Sequence, residues 1–258
     1  MDKMTMSVKR EDLVNYIDGL LTPSLFKDYC PNGLQVEGKG EITQLVSGVT
    51  ASQALIEAAI ELQADALLVH HGFFWKGENS CITKIKKKRI KALLDHDINL
   101  IAYHLPLDAH PVLGNNAQLA QRLGIEVLGG LELDNPRSIG NIGQFKRSYT
   151  PEELAEHIGA VLGRVPLVIS GGEHQIKTVG LCTGGAQGYI DKAVELGVDA
   201  YISGEISEPT VHSAREQGIH YFSAGHHATE RYGVQALGDA LALHFDVQHH
   251  HIDIPNPV

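Results

Sequence analysis

Four apolar runs in this chain are followed at once by histidines or carboxylates. Ala66-Leu67-Leu68-Val69 leads into His70-His71-Gly72, and Ile98 to Tyr103 into His104-Leu105-Pro106-Leu107-Asp108. Val198 to Ser203 is followed by Glu205, and Ile219 to Ala224 by Gly225-His226-His227-Ala228-Thr229-Glu230. Buried strands seldom end in paired imidazoles unless the rings bind something. His70 with His71, His104 with Asp108, and His226 with Glu230 together supply six nitrogen and oxygen donors. That exceeds the need of one tetrahedral ion but suits two, which in hydrolytic sites lie roughly 3.5 to 4 Å apart. The three cysteines have no CxxC spacing, so neither a thiolate zinc site nor a disulfide framework is expected. Imidazoles with few carboxylates suit zinc, manganese, iron, cobalt or nickel and do not select among them.

Each pair has a plainer reading when taken alone, because a buried histidine is commonly a hydrogen-bonded core residue. Neighbouring strand residues point to opposite faces, so His70 and His71 share a site only where the strand ends or where two ions sit side by side. Pro106 argues against a helix between His104 and Asp108 and predicts a loop that curls the two together. The four-residue spacing of His226 and Glu230 places both on one face of a starting helix.

The charge balance narrows the chemistry. Two divalent cations against Asp108 and Glu230 leave a cationic site in a chain of formal charge −10. Such a site favours a small anionic substrate and draws the pKa of bound water towards neutrality, which makes hydrolysis the economical reaction. His104 or Glu205 then serves as general base or orients the ligands. The acidic balance opposes direct nucleic-acid binding. One segment departs from it: Lys84, Lys86, Lys87, Lys88, Arg89 and Lys91 hold six of the 21 cations. It reads as a solvated helix face above a buried stripe of Ile82, Ile85 and Ile90, with phosphate attraction as the alternative. The Gly184-Gly185-Ala186-Gln187-Gly188 run is a strand-to-helix turn or a weak phosphate cradle. His249-His250-His251 resembles a metal tract but runs into Ile252-Asp253-Ile254, so a strand is expected there. No apolar run is long enough to span a membrane and no secretory signal is visible, so a cytoplasmic protein is expected.

The elements that must position these residues alternate between strand and helix, which predicts an α/β fold with largely parallel or mixed sheets flanked by helices. In such sheets ligands gather at the carboxyl ends of strands. The segments Gln63 to His71 and Gly197 to Glu205 correspond at an offset of 134, which reads as an internal duplication. Two similar α/β lobes follow, 1–127 and 128–258, with the weakly patterned stretch Leu128 to Thr150 as their boundary. The dinuclear site is expected at the lobe interface, with His70 and His71 serving different ions.

Four motifs also carry a family likeness: Tyr29-Cys30-Pro31-Asn32-Gly33-Leu34-Gln35-Val36, Val69-His70-His71-Gly72, His104-Leu105-Pro106-Leu107-Asp108 and Gly225-His226-His227-Ala228-Thr229-Glu230. Together they resemble the YbgI-like proteins of the NGG-interacting-factor-three-like family, commonly labelled GTP cyclohydrolase 1 type 2. The resemblance runs from about residue 10 to Pro257. It implies a toroidal homohexamer of two-lobed subunits with two divalent metal ions each. It also implies His70, His71, Asp108, His226 and Glu230 as metal ligands, with His104 a further ligand or a residue that orients them. The function it implies is a metal-dependent hydrolase acting on a nucleotide or related phosphorylated or purine-like molecule, with GTP ring opening or damaged-nucleotide handling after DNA damage as examples. The alternative is a non-enzymatic metal-binding ring that serves as a partner-binding, regulatory or metal-handling module.

Overall fold

The computed structural model describes residues 6–258. Contact clustering divides the chain into two compact units. The first holds the residues up to Leu107 together with Gly233–Pro255. Its elements run β1 (Val8–Lys9), α1 (Arg10–Leu21), β2 (Gly33–Val36), β3 (Glu41–Ile42), β4 (Gln44–Thr50), α2 (Gln53–Glu61), β5 (Ala66–His71), α3 (Lys84–Asp95) and β6 (Asn99–Ala102). The short helix α4 (Leu105–Ala109) then carries the chain into the second unit, Asp108–Tyr232 with Asn256–Val258. There follow α5 (Asn115–Leu123), β7 (Ile125–Gly130), β8 (Asn141–Tyr149), α6 (Pro151–Leu162), β9 (Leu167–Ile169), β10 (Ile176–Cys182), α7 (Ile190–Glu195), β11 (Ala200–Ser203), α8 (Glu208–Gln217) and β12 (His220–Ser223). The helix α9 (His226–Phe245) starts in the second unit and finishes in the first, where β13 (Gln248–His251) completes the sheet.

Beside a small antiparallel pair, β1 with β3, the two larger sheets are mixed, with a parallel centre. In the first unit the order is β13-β4-β5-β6-β2, and only β2 runs antiparallel to its neighbour. In the second it is β7-β8-β10-β11-β12-β9, with β10, β11 and β12 parallel. Central strands covered on both faces need continuous apolar runs, and Ala66 to Val69 and Ala200 to Ile202 are wholly buried. Helix α2 packs Leu55, Ile56 and Ala59 among Val46, Leu67 and Val69, and Ser52 caps it by accepting from the Leu55 amide at 3.2 Å. Helix α6 opens with a Thr150–Glu153 capping box. It then places Leu154, Ile158 and Leu162 in the second core.

The two units repeat one local plan at the same spacing. The pair Leu45 and Ala66 is matched by Val179 and Ala200, each 134 positions on, in parallel registers. Asp65 Oδ2 accepts from the amides of Thr43 and Gln44 at 2.8 and 2.9 Å. Asp199 Oδ2 accepts from those of Lys177 and Thr178 at 2.9 and 2.7 Å. Gln63 and Gly197 both take the left-handed backbone, φ 54° and 68°, before these strands.

Three expectations need correction. The stretch after Leu128 is not a boundary, because β7 and β8 pair with each other and β8 pairs with β10 inside the second sheet. The units divide instead at Leu107 and Asp108, and residues from Gly233 return to the first unit. The segment from His104 to Asp108 is not a loop throughout: Pro106 lies in the first turn of α4, where no amide is needed. The isoleucine stripe of the basic helix is not buried as a set, since Ile82 and Ile85 are 53% and 61% exposed. Helix α3 begins only at Lys84, and its inward line runs through Lys86, Ile90 and Leu93, with Ile85 one position off it.

Candidate metal centre

In the first unit the parallel strands β5 and β6 end side by side and deliver three imidazoles to one place. The possible ligand atoms of His70, His71 and His104 all lie within 4.8 Å of one another. His70 and His71 are neighbours on β5, yet their ring centroids are 4.5 Å apart. They converge because His71 is the last residue of the strand. The His70 ring is wholly buried, and its Nδ1–H donates to the Tyr103 carbonyl at 3.0 Å. A carbonyl accepts only, so the lone pair of that ring sits on Nε2. His71 Nδ1 is hydrogen-bonded to the Thr50 hydroxyl at 3.1 Å.

His104 is held by the Asp28 to Asn32 loop. Its Nδ1–H donates to Asp28 Oδ1 at 2.7 Å and its amide donates to Asn32 Oδ1 at 2.8 Å. Asp28 Oδ2 accepts from the Leu105 amide and from Asn32 Nδ2, both at 2.9 Å. Burial alone would raise the Asp28 carboxyl, but the bonds from His104 and Asn32 outweigh it and hold the group below its ordinary value. The group is therefore an anion behind the imidazole, the partner that fixes the tautomer of many metal-binding histidines.

In the second unit the donors are Asp108, His226 and Glu230. Asp108 and Glu230 are 5% and 3% exposed, and their carboxylate oxygens come within 4.8 Å of each other. Two buried carboxylates so close repel unless a cation stands by. His226 and Glu230, one turn apart on α9, meet at 3.0 Å between Nε2 and Oε2. His226 Nδ1 donates to Glu205 Oε1 at 2.7 Å. Burial lowers the affinity of His226 for a proton, but Glu230 and then Glu205 more than reverse this and raise its pKa to about 9. Asp108 Oδ1 accepts from Asn115 Nδ2 at 2.8 Å.

Gly184 explains part of the glycine run. Its φ is +67°, and a Cβ there would collide with the Glu230 carboxylate and press on His226. Its amide donates to the Thr229 hydroxyl at 3.0 Å, tying the turn after β10 to the start of α9. The donor set, imidazole Nε2 atoms fixed from behind and a close carboxylate pair, fits divalent metal ions of the borderline class.

All seven residues expected from sequence therefore gather within their own units: His70, His71 and His104 in the first, and Asp108, Glu205, His226 and Glu230 in the second. Asp28, Asn32 and Gln35 went unassigned in the sequence, although they fall within or beside the motif that closes with Val36. Trp75 was missed too, and stands edge-on to His104 with centroids 5.0 Å apart.

Comparison with known proteins places the chain. It is 56% identical over 252 residues to the Pseudomonas aeruginosa protein named GTP cyclohydrolase 1 type 2 homolog, covering 98% of this chain and 100% of the relative. It is 63% identical over 240 residues to the Vibrio cholerae protein of the same name, covering 92% and 95%. Among solved structures, protein ybgI, described as of unknown function, superposes with a TM-score of 0.93 at 51% identity, covering 97% and 100%. A Thermus thermophilus protein superposes with a TM-score of 0.89 at 34% identity, covering the same shares. The family profile matches residues 8–257, and the chain belongs to the Duf34/NIF3 (NGG1p interacting factor 3) family.

Proposed function

We propose that this chain is a metal-dependent hydrolase in which His70, His71, Asp108, His226 and Glu230 hold two divalent ions, with His104 a further ligand, and that it acts on a small anionic, nucleotide-like substrate. The observation that carries the reading is the state of the histidines. His70, His104 and His226 each commit Nδ1 to an acceptor behind the ring, at 3.0, 2.7 and 2.7 Å. Their Nε2 atoms are thereby directed to ligation. The recurrence of the strand plan at a spacing of 134 supports an internal duplication that supplied both sets.

Bound ions would supply electrophilic polarisation of the substrate and acidify a water molecule. The chain does the rest. Asp28 and Glu205 hold His104 and His226 in one tautomer, and Asn115 steadies Asp108. Glu205, half-buried, is also placed to take up a proton as general base. The name shared by the relatives makes opening of a purine nucleotide ring the first reaction to try, with damaged nucleotides next. A cytoplasmic homohexamer is the assembly that goes with this reading, and a sedimentation mass of one chain would count against it.

The second reading is a ring that binds metal without catalysis and serves partners. The observation favouring it is the surface at the start of α3, where Ile85, and Ile82 just before the helix, stand exposed beside its lysines. Elemental analysis is expected to find about two metal ions per chain, and His70→Ala and Glu230→Ala to lose metal. Metal-loaded protein is then screened against nucleotides and phosphoesters. Turnover of none, with metal present, favours the module; no metal at all sinks both.

A further inference from the structure

Aromatic rings stand open beside the first unit's histidines. The segment after β5 carries Phe73, Phe74 and Trp75, of which only Phe73 is buried. Trp75 is half-buried, and its indole lies 5.0 Å from His104, at 82°, and 5.8 Å from His71. Tyr29, 61% exposed, stands 6.3 Å from His104 at 64°. Open aromatic faces beside a polar cluster offer stacking surface to a planar ligand.

Hydrogen bonds brace the loops that carry these rings, and one fixes the indole itself. The Trp75 Nε1–H donates to the Gly72 carbonyl at 3.2 Å, and the Lys76 amide donates to the Tyr29 carbonyl at 2.6 Å. Gln35 braces the same two loops, accepting from the Phe73 amide at 2.6 Å and donating to the Pro31 carbonyl at 2.7 Å. Phe74 stays 36% exposed, with Lys86 Nζ 5.0 Å from its centroid. That ammonium is engaged with Glu78 at 3.3 Å and the Asn79 carbonyl at 3.0 Å. This side of the cluster therefore presents flat ring faces, with Lys86 engaged, and suits the stacking of a planar group.

We propose that Trp75 and Tyr29 are the specificity-determining residues for the substrate's planar heteroaromatic group, which they hold by stacking beside His71 and His104. The proposal rests on the hydrolase reading of the same site. Base stacking on an aromatic side chain tolerates different bases, because each has a π-face.

Trp75 is the chain's single tryptophan, so its fluorescence reports on this shelf alone. The full-length protein, zinc-loaded and metal-free, is titrated with GMP, AMP and ribose 5-phosphate. Both purine nucleotides are expected to quench Trp75 and ribose 5-phosphate to leave it unchanged. By calorimetry, Trp75→Ala and Tyr29→Ala are expected to weaken GMP binding about tenfold each while Trp75→Phe retains most of it. Ribose 5-phosphate affinity and zinc content should not change in any variant, which shows that each is folded. Equal binding of GMP and ribose 5-phosphate, no quenching by either purine, or native GMP affinity in both alanine variants overturns the shelf. So does acrylamide access to Trp75 that falls as protein concentration rises, because a second copy then covers it. Loss of the hydrolase reading shows separately, as absent zinc, while purine quenching of the metal-free chain still reports on the shelf.

Discussion

At the scale of the residue, the histidine cluster depends on the groups behind its rings. Asp28 and Glu205 each receive an Nδ1–H at 2.7 Å and so decide where two imidazoles keep their lone pairs. An amide in their place can rotate and offer a donor, which releases the tautomer. Asp28→Asn and Glu205→Gln are therefore expected to lower metal affinity about 10- to 100-fold each. Competition against a chelator measures this, and unchanged affinity would show that ring orientation is set elsewhere. Gly184→Ala meets two obstacles, a φ of +67° and the Glu230 carboxylate. It should cost about 1–3 kcal/mol of stability and remove metal from the second unit's donors, as read by thermal melting and elemental analysis. A variant with native melting and native metal content would refute that account of the glycine.

At the scale of the element, the parallel strands are held at their amino ends by carboxylates. Asp65 is 9% exposed and accepts two backbone amides as well as the Lys39 ammonium at 2.6 Å. Burial pushes its carboxyl upward, but Lys39 and the amides of Thr43 and Gln44 prevail and lower it. Asp199 is likewise lowered, burial being outweighed by the Thr178 and Lys177 amides. A lowered native pKa adds stability that is complete above the unfolded value of about 3.9 and is lost as pH falls through the native value. Asp65→Asn should therefore cost about 1–2 kcal/mol at pH 7, with the gap to the native protein closing below pH about 4. Urea midpoints across that range test it; a gap that widens on acidification would reverse the sign.

At the scale of the whole molecule, the proposed metal binding would be linked to stability. The carboxylate pair Asp108 and Glu230 and the three imidazoles of the first unit stand as close polar clusters. An ion that binds only the folded chain stabilises it by about 2.7 kcal/mol at a free concentration 100 times its Kd. Calorimetric melting should show a rise with added zinc or manganese and a fall with chelator, and His70→Ala with Glu230→Ala should abolish the rise. A melting temperature blind to both treatments would argue against resident metal. Among the described residues no helix is long and apolar enough to cross a membrane.

Much of this was legible in the sequence because hydrophobic periodicity is local. Ala66 to Val69 declares a covered strand, the spacing of His226 and Glu230 declares one helix face, and the offset of 134 declares a repeated plan. Those patterns also located the polar residues at the strand ends, since a sheet's burial pattern breaks where the strand stops. The supports were not legible. His104 finds Asp28 76 positions away, and Phe73 finds Gln35 38 away, so nothing in either segment's own pattern names the other. Ile82 and Ile85 were misread because composition suggests a stripe but the starting residue of a helix decides which positions face inward. The boundary after Leu128 failed for a related reason: weak patterning marks partly exposed strands, such as β7, as readily as linkers. The amino-acid order by itself determined which residues can ligate and which segments must be buried. Strand register and loop bracing, which join residues distant along the chain, decided how the imidazoles are oriented and which aromatic faces stand open beside them.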